Sequence, residues 1–265
     1  MMRTLRVEAQ EEVEILSLAV PETLNAMTPE MAEELGDYFA ALAARPEVRV
    51  VLLRADGRAF CAGAALGSDA FSTPGPGRAH RQLAMQRLYS RIPRLMRACP
   101  QPIIALVQGA ACGAGFSLML AADVRLASPE AKMNAAYLRV GVGGCDMGSG
   151  YFLPRLIGVS AASEYLLTGK FISAERAKQI NLISEIVVQQ ELLSTGLALA
   201  DEMRRASPLG LRLTKETLNL SLDAPSLDAA LTAEDRQQVI LLETSDHREA
   251  VIAFQEKRRP RYQDR

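Results

Sequence analysis

The sequence predicts an α/β fold in which most strands pair in parallel. Two observations lead to this fold class. Short apolar segments at residues 48–53 and 102–107 have the length and composition of buried strands, and a segment of helix length separates them. Strands that alternate with helices are typical of parallel sheets, because a parallel pair needs a long crossover connection. From residue 153 onward the pattern becomes helical, so we expect further helices to pack on this core.

The first elements are a strand and a helix with a clear start signal. Residues 13–18 mix apolar and polar side chains as a strand does. Thr28, Pro29 and Glu30 combine a good N-cap, a proline at the first helical position and an acid in the first turn. They predict a helix that runs toward Ala44, and the apolar segment 48–53 follows it as a buried strand.

The middle of the chain continues the alternation of helix and strand. A loop rich in glycine and proline (residues 72–77) precedes a predicted helix at 79–96. Residues 102–107 form the next strand, and residues 113–122 predict a short buried helix. A strand then begins at Val124. The later segments with helical patterns are 151–157, 161–167, 174–179, 191–206, 208–222 and 226–253.

The chain shows no clear linker, repeat or low-complexity segment. A chain of 265 residues is long enough to bury a large core without disulfides or metals. We expect residues 1–200 to form the core. We expect residues 201–265 to form a C-terminal helical region that packs on this core or on a neighbouring subunit.

The composition excludes several classes of function. The 30 Lys and Arg residues nearly balance the 31 Asp and Glu residues, and a nucleic-acid binder normally carries a basic excess. The basic end at residues 257–261 is better explained as a solvated surface. With only two histidines, His80 and His247, the chain has too few for a histidine-rich zinc site, and we expect both to be exposed polar residues. The usual nucleotide-binding and hydrolase motifs are absent.

The cysteines and the N-terminus indicate the compartment. The four cysteines are widely spaced, which favours free, buried thiols in a reducing environment over a disulfide framework. The first residues lack the apolar run of a signal peptide, and no apolar segment is long enough to span a membrane. We therefore expect a cytoplasmic protein without a membrane partner.

Two turns built from small residues each follow a predicted strand. One holds residues 59–64 (A-F-C-A-G-A), and the other holds residues 108–115 (Q-G-A-A-C-G-A-G) and opens a helix. Small residues allow a ligand or another chain segment to approach the backbone closely, and a helix N-terminus offers unpaired N–H groups. Each turn alone is explained by tight packing. Together, at adjacent strand ends, they could direct two N–H donors at one carbonyl oxygen.

These turns resemble those of the enoyl-CoA hydratase/isomerase (crotonase) superfamily. The likeness covers F-C-A-G-A and I-A-L-V-Q-G-A-A-C-G-A-G-F-S-L-M-L-A-A-D-V-R-L-A-S, and it continues through residues 21–27, 153–158, 167–170 and 253–258. The resemblance implies a spiral of repeated ββα units with a C-terminal helical trimerisation region. It also implies homotrimers, often paired into hexamers, and a coenzyme A thioester as substrate, with no separate cofactor.

The resemblance also implies roles for individual residues. Backbone N–H groups of Ala64 and Ala114 match the two donors of an oxyanion hole, each worth about 3–4 kcal/mol of barrier in such sites. Phe254 and Lys257 match positions that reach the coenzyme A of a neighbouring subunit. The positions that match contacts to the acyl-CoA are Leu24, Ala62, Ala65, Leu66 and Gly113.

The sequence departs from the family pattern at the positions of the acid and the base. The two glutamates of the family's hydratases match Ser117 and Tyr137, neither of which is a carboxylate. We expect Ser117 to satisfy a backbone carbonyl. Tyr137 either assists proton transfer or is a packed tyrosine with a bonded hydroxyl. Asp146, in the glycine-rich segment 143–150, is either a helix cap or the group that moves protons.

Three hypotheses follow from this pattern. The first is an acyl-CoA enzyme that stabilises a thioester enolate and acts as an isomerase or an atypical hydratase, with Asp146 as acid/base and Tyr137 as an auxiliary group. The second is an acyl-CoA-binding homologue with little or no turnover. The third is a trimeric scaffold that has lost the pocket. We expect the loop at residues 67–77 to shape the acyl pocket.

Overall fold

The structure is a computed structural model that describes residues 2–66 and 75–265. In those ranges it contains nine strands and ten α-helices, with several short 3₁₀ turns between them. The strands are β1 (Leu5–Gln10), β2 (Val13–Leu18), β3 (Val50–Ala55), β4 (Ile103–Val107), β5 (Ala110–Cys112), β6 (Val124–Ala127), β7 (Lys132–Asn134), β8 (Ile172–Ser173) and β9 (Glu185–Ile186). The helices are α1 (Pro29–Ala41), α2 (Arg78–Ala98), α3 (Ala114–Ala121), α4 (Ser149–Ile157), α5 (Val159–Thr168), α6 (Ala174–Gln179), α7 (Leu192–Met203), α8 (Pro208–Ser221), α9 (Leu227–Leu242) and α10 (Ser245–Gln255).

The strands form two sheets, and most pairs are parallel as predicted. The larger sheet has the order β1-β2-β3-β4-β6-β9, and the smaller has the order β5-β7-β8. In the larger sheet only the β1–β2 hairpin is antiparallel. Sequence analysis missed β1, β9 and the short strands of the smaller sheet. None of the helices in the described ranges has the length and apolar character needed to cross a bilayer.

The chain passes from the larger sheet to the smaller sheet and then into a helix, and it repeats this path. Strand β4 belongs to the larger sheet, β5 to the smaller, and α3 follows; β6 and β7 repeat the pattern before α4. These are the ββα units that the sequence led us to expect. Each repeat places the start of a helix next to the end of a strand, which is where the candidate site lies.

Both faces of the larger sheet are buried, which explains its continuous apolar strands. Val51 and Leu53 of β3 pack in the main core, and Val50 and Leu52 pack in a second cluster on the opposite face. Successive side chains of a strand point to opposite faces, so a strand covered on both sides must be apolar throughout. Helix α7 covers the second face and contributes Leu192 and Ala200, among others, to that cluster.

The helix caps confirm one prediction and correct another. The hydroxyl of Thr28 accepts a hydrogen bond from the Met31 N–H and caps α1, as expected. The single helix predicted at 226–253 is wrong, because the chain breaks into α9 and α10. Thr244 lies at the break, and its hydroxyl accepts from the His247 N–H. A good N-cap in the middle of a helical pattern favours a new start over continuation.

A buried lysine fastens the C-terminal helices to the core. Lys215 of α8 places its Nζ 2.9 Å from Asp123 Oδ2 and donates to the carbonyl oxygens of Met96 and Gln101. Asp123 also accepts from the Arg97 side chain, so its role is structural. Helix α9 buries none of its residues within the chain. Its packing against a neighbouring subunit stays a prediction.

Candidate active site

Two turns meet at the ends of β3 and β4. The Cys61 N–H donates to the carbonyl of Ala110, and the Cys112 N–H donates back to the carbonyl of Cys61. Gly115, in the first turn of α3, packs so tightly here that an added Cβ would lie 2.4 Å from the Cys61 carbonyl oxygen. Only glycine permits this approach, so the small residues of both turns bring their backbones together.

The meeting of the turns leaves two N–H groups free. The Met27 N–H donates to the Gly63 carbonyl, and the Ala65 N–H donates to the Met27 carbonyl, so the N–H of Ala64 points away from this pairing. Ala114 is the first residue of α3, where N–H groups have no partner within the helix. In the part of the chain that the structure describes, neither N–H has a protein acceptor.

Glycines hold the two N–H groups close together. A Cβ added to Gly63 would lie 3.9 Å from the Ala114 nitrogen, which places the two turns in contact. Gly113, with φ of 50°, precedes α3 in a backbone conformation that favours glycine. The arrangement can present two backbone donors to one oxygen atom, which is the geometry required to stabilise a developing oxyanion.

A cavity of about 680 Å³ opens beside these donors. Most of the site residues predicted from the sequence line it: Ala62, Ala64, Leu66, Gly113, Ala114, Tyr137 and Asp146. The described residues provide no cluster of three metal-ligating side chains. Much of the predicted pocket-shaping loop, residues 67–74, lies outside the described residues.

Four predicted residues do not line this cavity. Leu24 and Ala65 are bonded to its surroundings through their backbones: the Leu24 carbonyl accepts from the Ala62 N–H, and the Ala65 N–H donates to the Met27 carbonyl. Phe254 lies on α10 and is 85% exposed, and Lys257 follows the end of that helix. Their expected contact with the coenzyme A of a neighbouring subunit stays a prediction.

Asp146 lines the cavity, and its side chain does not cap α4. The N-cap position of α4 is Gly148, without a side-chain cap. The Asp146 carboxylate instead accepts from the Met147 N–H at 2.7 Å and from the side-chain amide of Gln86 on α2. Burial raises the pKa of Asp146 above its ordinary value, although both hydrogen bonds oppose the shift. A carboxyl group with a raised pKa is suited to exchange protons with a substrate.

Ser117 and Tyr137 form a buried hydroxyl pair next to Asp146. Their oxygen atoms lie 2.5 Å apart, Ser117 Oγ is 2.8 Å from the Asp146 carbonyl oxygen, and Tyr137 Oη is 2.7 Å from the Gly113 carbonyl oxygen. Two hydroxyl protons therefore serve three contacts. Burial raises the pKa of Tyr137 above its ordinary value. This geometry favours the packed, hydrogen-bonded tyrosine over a proton donor, and it places Ser117 on a backbone carbonyl as expected.

Sequence analysis did not single out several residues that line the cavity, among them Gln86, Met147 and Cys145. Gln82, Gln86 and Tyr89 all line it from α2, with the spacing of one helix face. That periodicity was the available signal for Gln86. The expectation of uniformly buried thiols is wrong, because Cys145 is exposed in the turn that carries Asp146. A glycine-rich turn lacks the bulky neighbours that would cover it.

Comparison with known proteins identifies the family. The family model for enoyl-CoA hydratase/isomerase matches residues 8–265. A protein of Mycobacterium bovis named as a probable enoyl-CoA hydratase is 38% identical over 256 residues, covering 96% of this chain and 90% of its own. The 1,2-epoxyphenylacetyl-CoA isomerase of Escherichia coli is 32% identical over 262 residues, covering 99% of each chain.

Solved structures agree with this assignment. A crystal structure of an enoyl-CoA hydratase from Bacillus anthracis superimposes with a TM-score of 0.93 at 29% identity and covers 99% of this chain and 100% of its own. The fold is thus the mixed α/β fold of those enzymes. Because the family model spans nearly the whole sequence, the chain belongs to the enoyl-CoA hydratase/isomerase family.

Proposed function

We propose that this protein is an acyl-CoA isomerase that stabilises a thioester enolate and moves one proton with Asp146. The observation that carries the proposal is the pairing of two unpartnered N–H groups with one carboxylate. Among the described residues that line the cavity, Asp146 is the only acidic side chain. One carboxylate is sufficient for a proton transfer that removes and returns the same proton.

The reaction balances without any further reactant. The thioester carbonyl oxygen accepts hydrogen bonds from the N–H groups of Ala64 and Ala114. The Asp146 carboxylate takes a proton from a carbon activated by the thioester, and the electron pair of that C–H bond moves into the enolate. The same carboxyl group then returns the proton to another carbon of the conjugated system. The product has the composition of the substrate, with a shifted double bond.

Hydration is less well supported by this cavity. Adding water across a double bond requires a group that activates water and a group that protonates carbon. The positions that match the family's two glutamates hold Ser117 and Tyr137, whose hydroxyls are engaged with each other and with backbone carbonyls. The similar proteins include one named as a 1,2-epoxyphenylacetyl-CoA isomerase beside those named as probable enoyl-CoA hydratases, so isomerisation is compatible with this family. Ser117 and Tyr137 then act as positioning residues for the turn that carries Asp146.

The test compares Asp146→Asn with the wild-type enzyme on enoyl-CoA and dienoyl-CoA substrates. We expect kcat to fall by about 100-fold or more with little change in KM, because proton transfer by a positioned group contributes at least this factor. Asp37→Asn is the matched control, since Asp37 is exposed on α1 outside the cavity. Mass spectrometry distinguishes an isomer from a hydrated product.

Three results would overturn the proposal. Undiminished turnover by Asp146→Asn would remove the role of this carboxylate. Acyl-CoA binding in calorimetry without any product across the panel would select the alternative of a binding protein with little or no turnover. A protein that binds no acyl-CoA at all would select the scaffold hypothesis, although the cavity of about 680 Å³ argues against it.

A further inference from the structure

Helix α2 concentrates positive charge without any compensating acid. It holds six of the 30 Lys and Arg residues of the chain, all six of them arginine, and residues 70–122 contain no Asp or Glu. The chain as a whole has a formal net charge of −1, so this helix departs from the balance found elsewhere. Arginine is enriched at protein–protein interfaces, whereas lysine is depleted there.

Three of these arginines lie on one exposed face of α2. Arg87, Arg91 and Arg94 have the i, i+4, i+7 spacing of a single helix face, and all three are exposed. The opposite face of the helix is buried and packs in the main core. The preceding turn adds Leu83, which is 48% exposed, and the small residue Ala84 to the exposed face. We call these five residues the arginine face.

The charges of the arginine face are not balanced within the described part of the chain. Arg91 has an ion pair with Asp37 at 3.2 Å, with both side chains exposed. Arg87 and Arg94 have no acidic partner among the described residues. Like charges at these spacings repel each other and destabilise a helix. An acidic partner would remove this repulsion and form bidentate hydrogen bonds between carboxylate and guanidinium groups.

The arginine face lies beside the entrance to the candidate active site. Another face of α2 lines the cavity with Arg78, Gln82 and Gln86, and Arg87 directly follows Gln86. Arg78 is exposed and also lines the cavity, so the cavity opens to solvent near the start of this helix. Arg87 lies about 14 Å further along α2, at 1.5 Å per residue. A molecule that carries a substrate on a flexible arm could therefore dock on the arginine face while the arm enters the cavity.

The chemistry of the arginine face favours an acidic protein helix over other polyanions. Leu83 and Ala84 add an apolar contact and a place of close approach, as at the centre of a protein interface. Nucleic-acid-binding domains are basic overall, and this chain is nearly neutral. A helix that binds an anionic membrane inserts a broad apolar face, whereas Leu83 is the only exposed large apolar side chain in the described helix α2.

We propose that the arginine face is a docking surface for an acidic helix of a carrier protein that bears the acyl group as a thioester on a phosphopantetheine arm. This inference rests on the proposed function, because the arm must bring its thioester carbonyl to Ala64 and Ala114. Coenzyme A contains the same phosphopantetheine unit, so both kinds of thioester present the same atoms to the cavity. The carrier protein differs in its acidic surface, which the arginine face recognises.

The first test reverses two charges of the arginine face. Arg87→Glu/Arg94→Glu should lower kcat/KM by about tenfold or more for a hex-3-enoyl thioester of acyl carrier protein, a small acidic helical protein, and by about twofold at most for hex-3-enoyl-CoA. Arg87→Gln/Arg94→Gln should have an intermediate effect. Arg176→Glu/Lys178→Glu is the matched control, because it changes the net charge of the protein equally at exposed positions of α6 that do not line the cavity. It should leave both values of kcat/KM unchanged.

Two kinetic results would overturn the inference. An equal loss for both thioesters in Arg87→Glu/Arg94→Glu would show that the arginine face acts on the phosphates of coenzyme A or on the whole electrostatic field. Unchanged kinetics with the carrier-bound thioester would show that no acidic helix docks there.

Binding of the carrier alone separates this inference from the proposed function, because it needs no turnover. Fluorescence anisotropy of labelled acyl carrier protein without an acyl group should show binding that weakens by about tenfold or more in Arg87→Glu/Arg94→Glu, and that also weakens as salt is added. If the carrier binds in this way but no enoyl thioester is converted, the proposed function fails and the docking surface stands. If CoA thioesters are isomerised but the carrier does not bind, the docking surface fails alone.

The same two arginines also allow the other polyanions to be tested. Vesicles that contain phosphatidylglycerol and a DNA duplex should not bind to the wild-type enzyme. Binding of either one that is lost in Arg87→Glu/Arg94→Glu, without binding of the carrier protein, would overturn the inference in favour of that partner.

Discussion

The side-chain amide of Gln86 donates a hydrogen bond to the carboxylate of Asp146, which lies 60 residues further along the chain. The contact joins the long helix α2 to the glycine-rich turn before α4. A carboxylate on a turn of small residues has few neighbours to orient it. Gln86 belongs to a 21-residue helix. Its amide therefore holds the carboxylate of Asp146, the group that we propose moves protons, in one orientation.

Replacement of Gln86 should change the pH dependence of catalysis. The Gln86 hydrogen bond stabilises the ionised form of Asp146 and lowers its pKa, against the larger effect of burial. In Gln86→Leu the pKa should therefore rise further. Because the base must be ionised, the inflection in kcat/KM should move to higher pH, and activity below that inflection should fall.

Controls separate this positioning role from a structural one. The inflection should disappear in Asp146→Asn, and Gln86→Asn should lie between wild type and Gln86→Leu if its shorter side chain retains part of the contact. An inflection at the same pH in wild type and Gln86→Leu would contradict the positioning role.

Loss of the Tyr137 hydroxyl should affect stability more than chemistry. In Tyr137→Phe the Gly113 carbonyl and Ser117 each lose a buried hydrogen-bonding partner. We expect the free energy of unfolding to fall by about 1–2 kcal/mol. The decrease in kcat should be much smaller than in Asp146→Asn. A loss of kcat equal to that of Asp146→Asn, with unchanged stability, would instead show Tyr137 to be a proton donor.

Addition of a methyl group at Gly115 should disrupt the site from within the core. The new Cβ of Gly115→Ala would lie 2.4 Å from the Cys61 carbonyl oxygen and force the two turns apart. We expect a loss of about 1–3 kcal/mol in denaturant unfolding, together with a loss of kcat. Gly143→Ala is the control for stability, because its Cβ would meet no atom within 4 Å. Equal stabilities of the two variants would argue against this packing.

The buried lysine of α8 should be important for stability. Lys215→Met removes the ion pair with Asp123 and leaves that carboxylate with Arg97 and the Ile103 N–H as its partners. Breaking a buried pair by removing one partner costs about 3–5 kcal/mol, which thermal or denaturant unfolding will measure. The comparison is Lys170→Met, whose exposed pair with Glu164 should contribute about 1 kcal/mol or less. Similar losses in both variants would show that Lys215 is not the anchor.

Cys145 should be the first thiol to react with a maleimide. It is exposed in the turn beside Asp146, whereas burial raises the pKa of the Cys61 thiol to about 12 and also raises the pKa of Cys99 and Cys112. Labelling should block turnover, since the label would occupy the cavity, and a bound acyl-CoA should slow the reaction. Peptide mapping identifies the labelled residue, and Cys145→Ser should be resistant.

Local sequence signals predicted the central elements of the fold well. The strand Val13–Leu18, the cap at Thr28 and the helix Ala174–Gln179 depend on patterns within a few residues, and the structure confirms them. The two-residue strands β8 and β9 were missed because their pairing partners lie far away in the chain. Such short segments acquire their conformation from tertiary contacts.

In the candidate site, too, features set by neighbouring residues could be predicted from the sequence, and contacts between distant residues could not. The turns that hold Ala64 and Ala114 were visible as runs of small residues after apolar strands. The positioning of Asp146 by Gln86 was not visible, since it depends on how α2 packs against a turn 60 residues later. The place of Met147 in the cavity lining was equally hidden, because it depends on how the turn packs in three dimensions.

All eight residues of α3 are buried, from Ala114 to Ala121. The amide of Ala114 is therefore held by the hydrophobic core, and the reaction proposed above would need little rearrangement of this donor when negative charge develops on a substrate oxygen. Because the position of the Ala114 amide depends on how α3 packs, the turnover rate should depend on the packing of the core. Conservative changes deep in the core, such as at Leu118, should reduce turnover at temperatures where the protein is still fully folded.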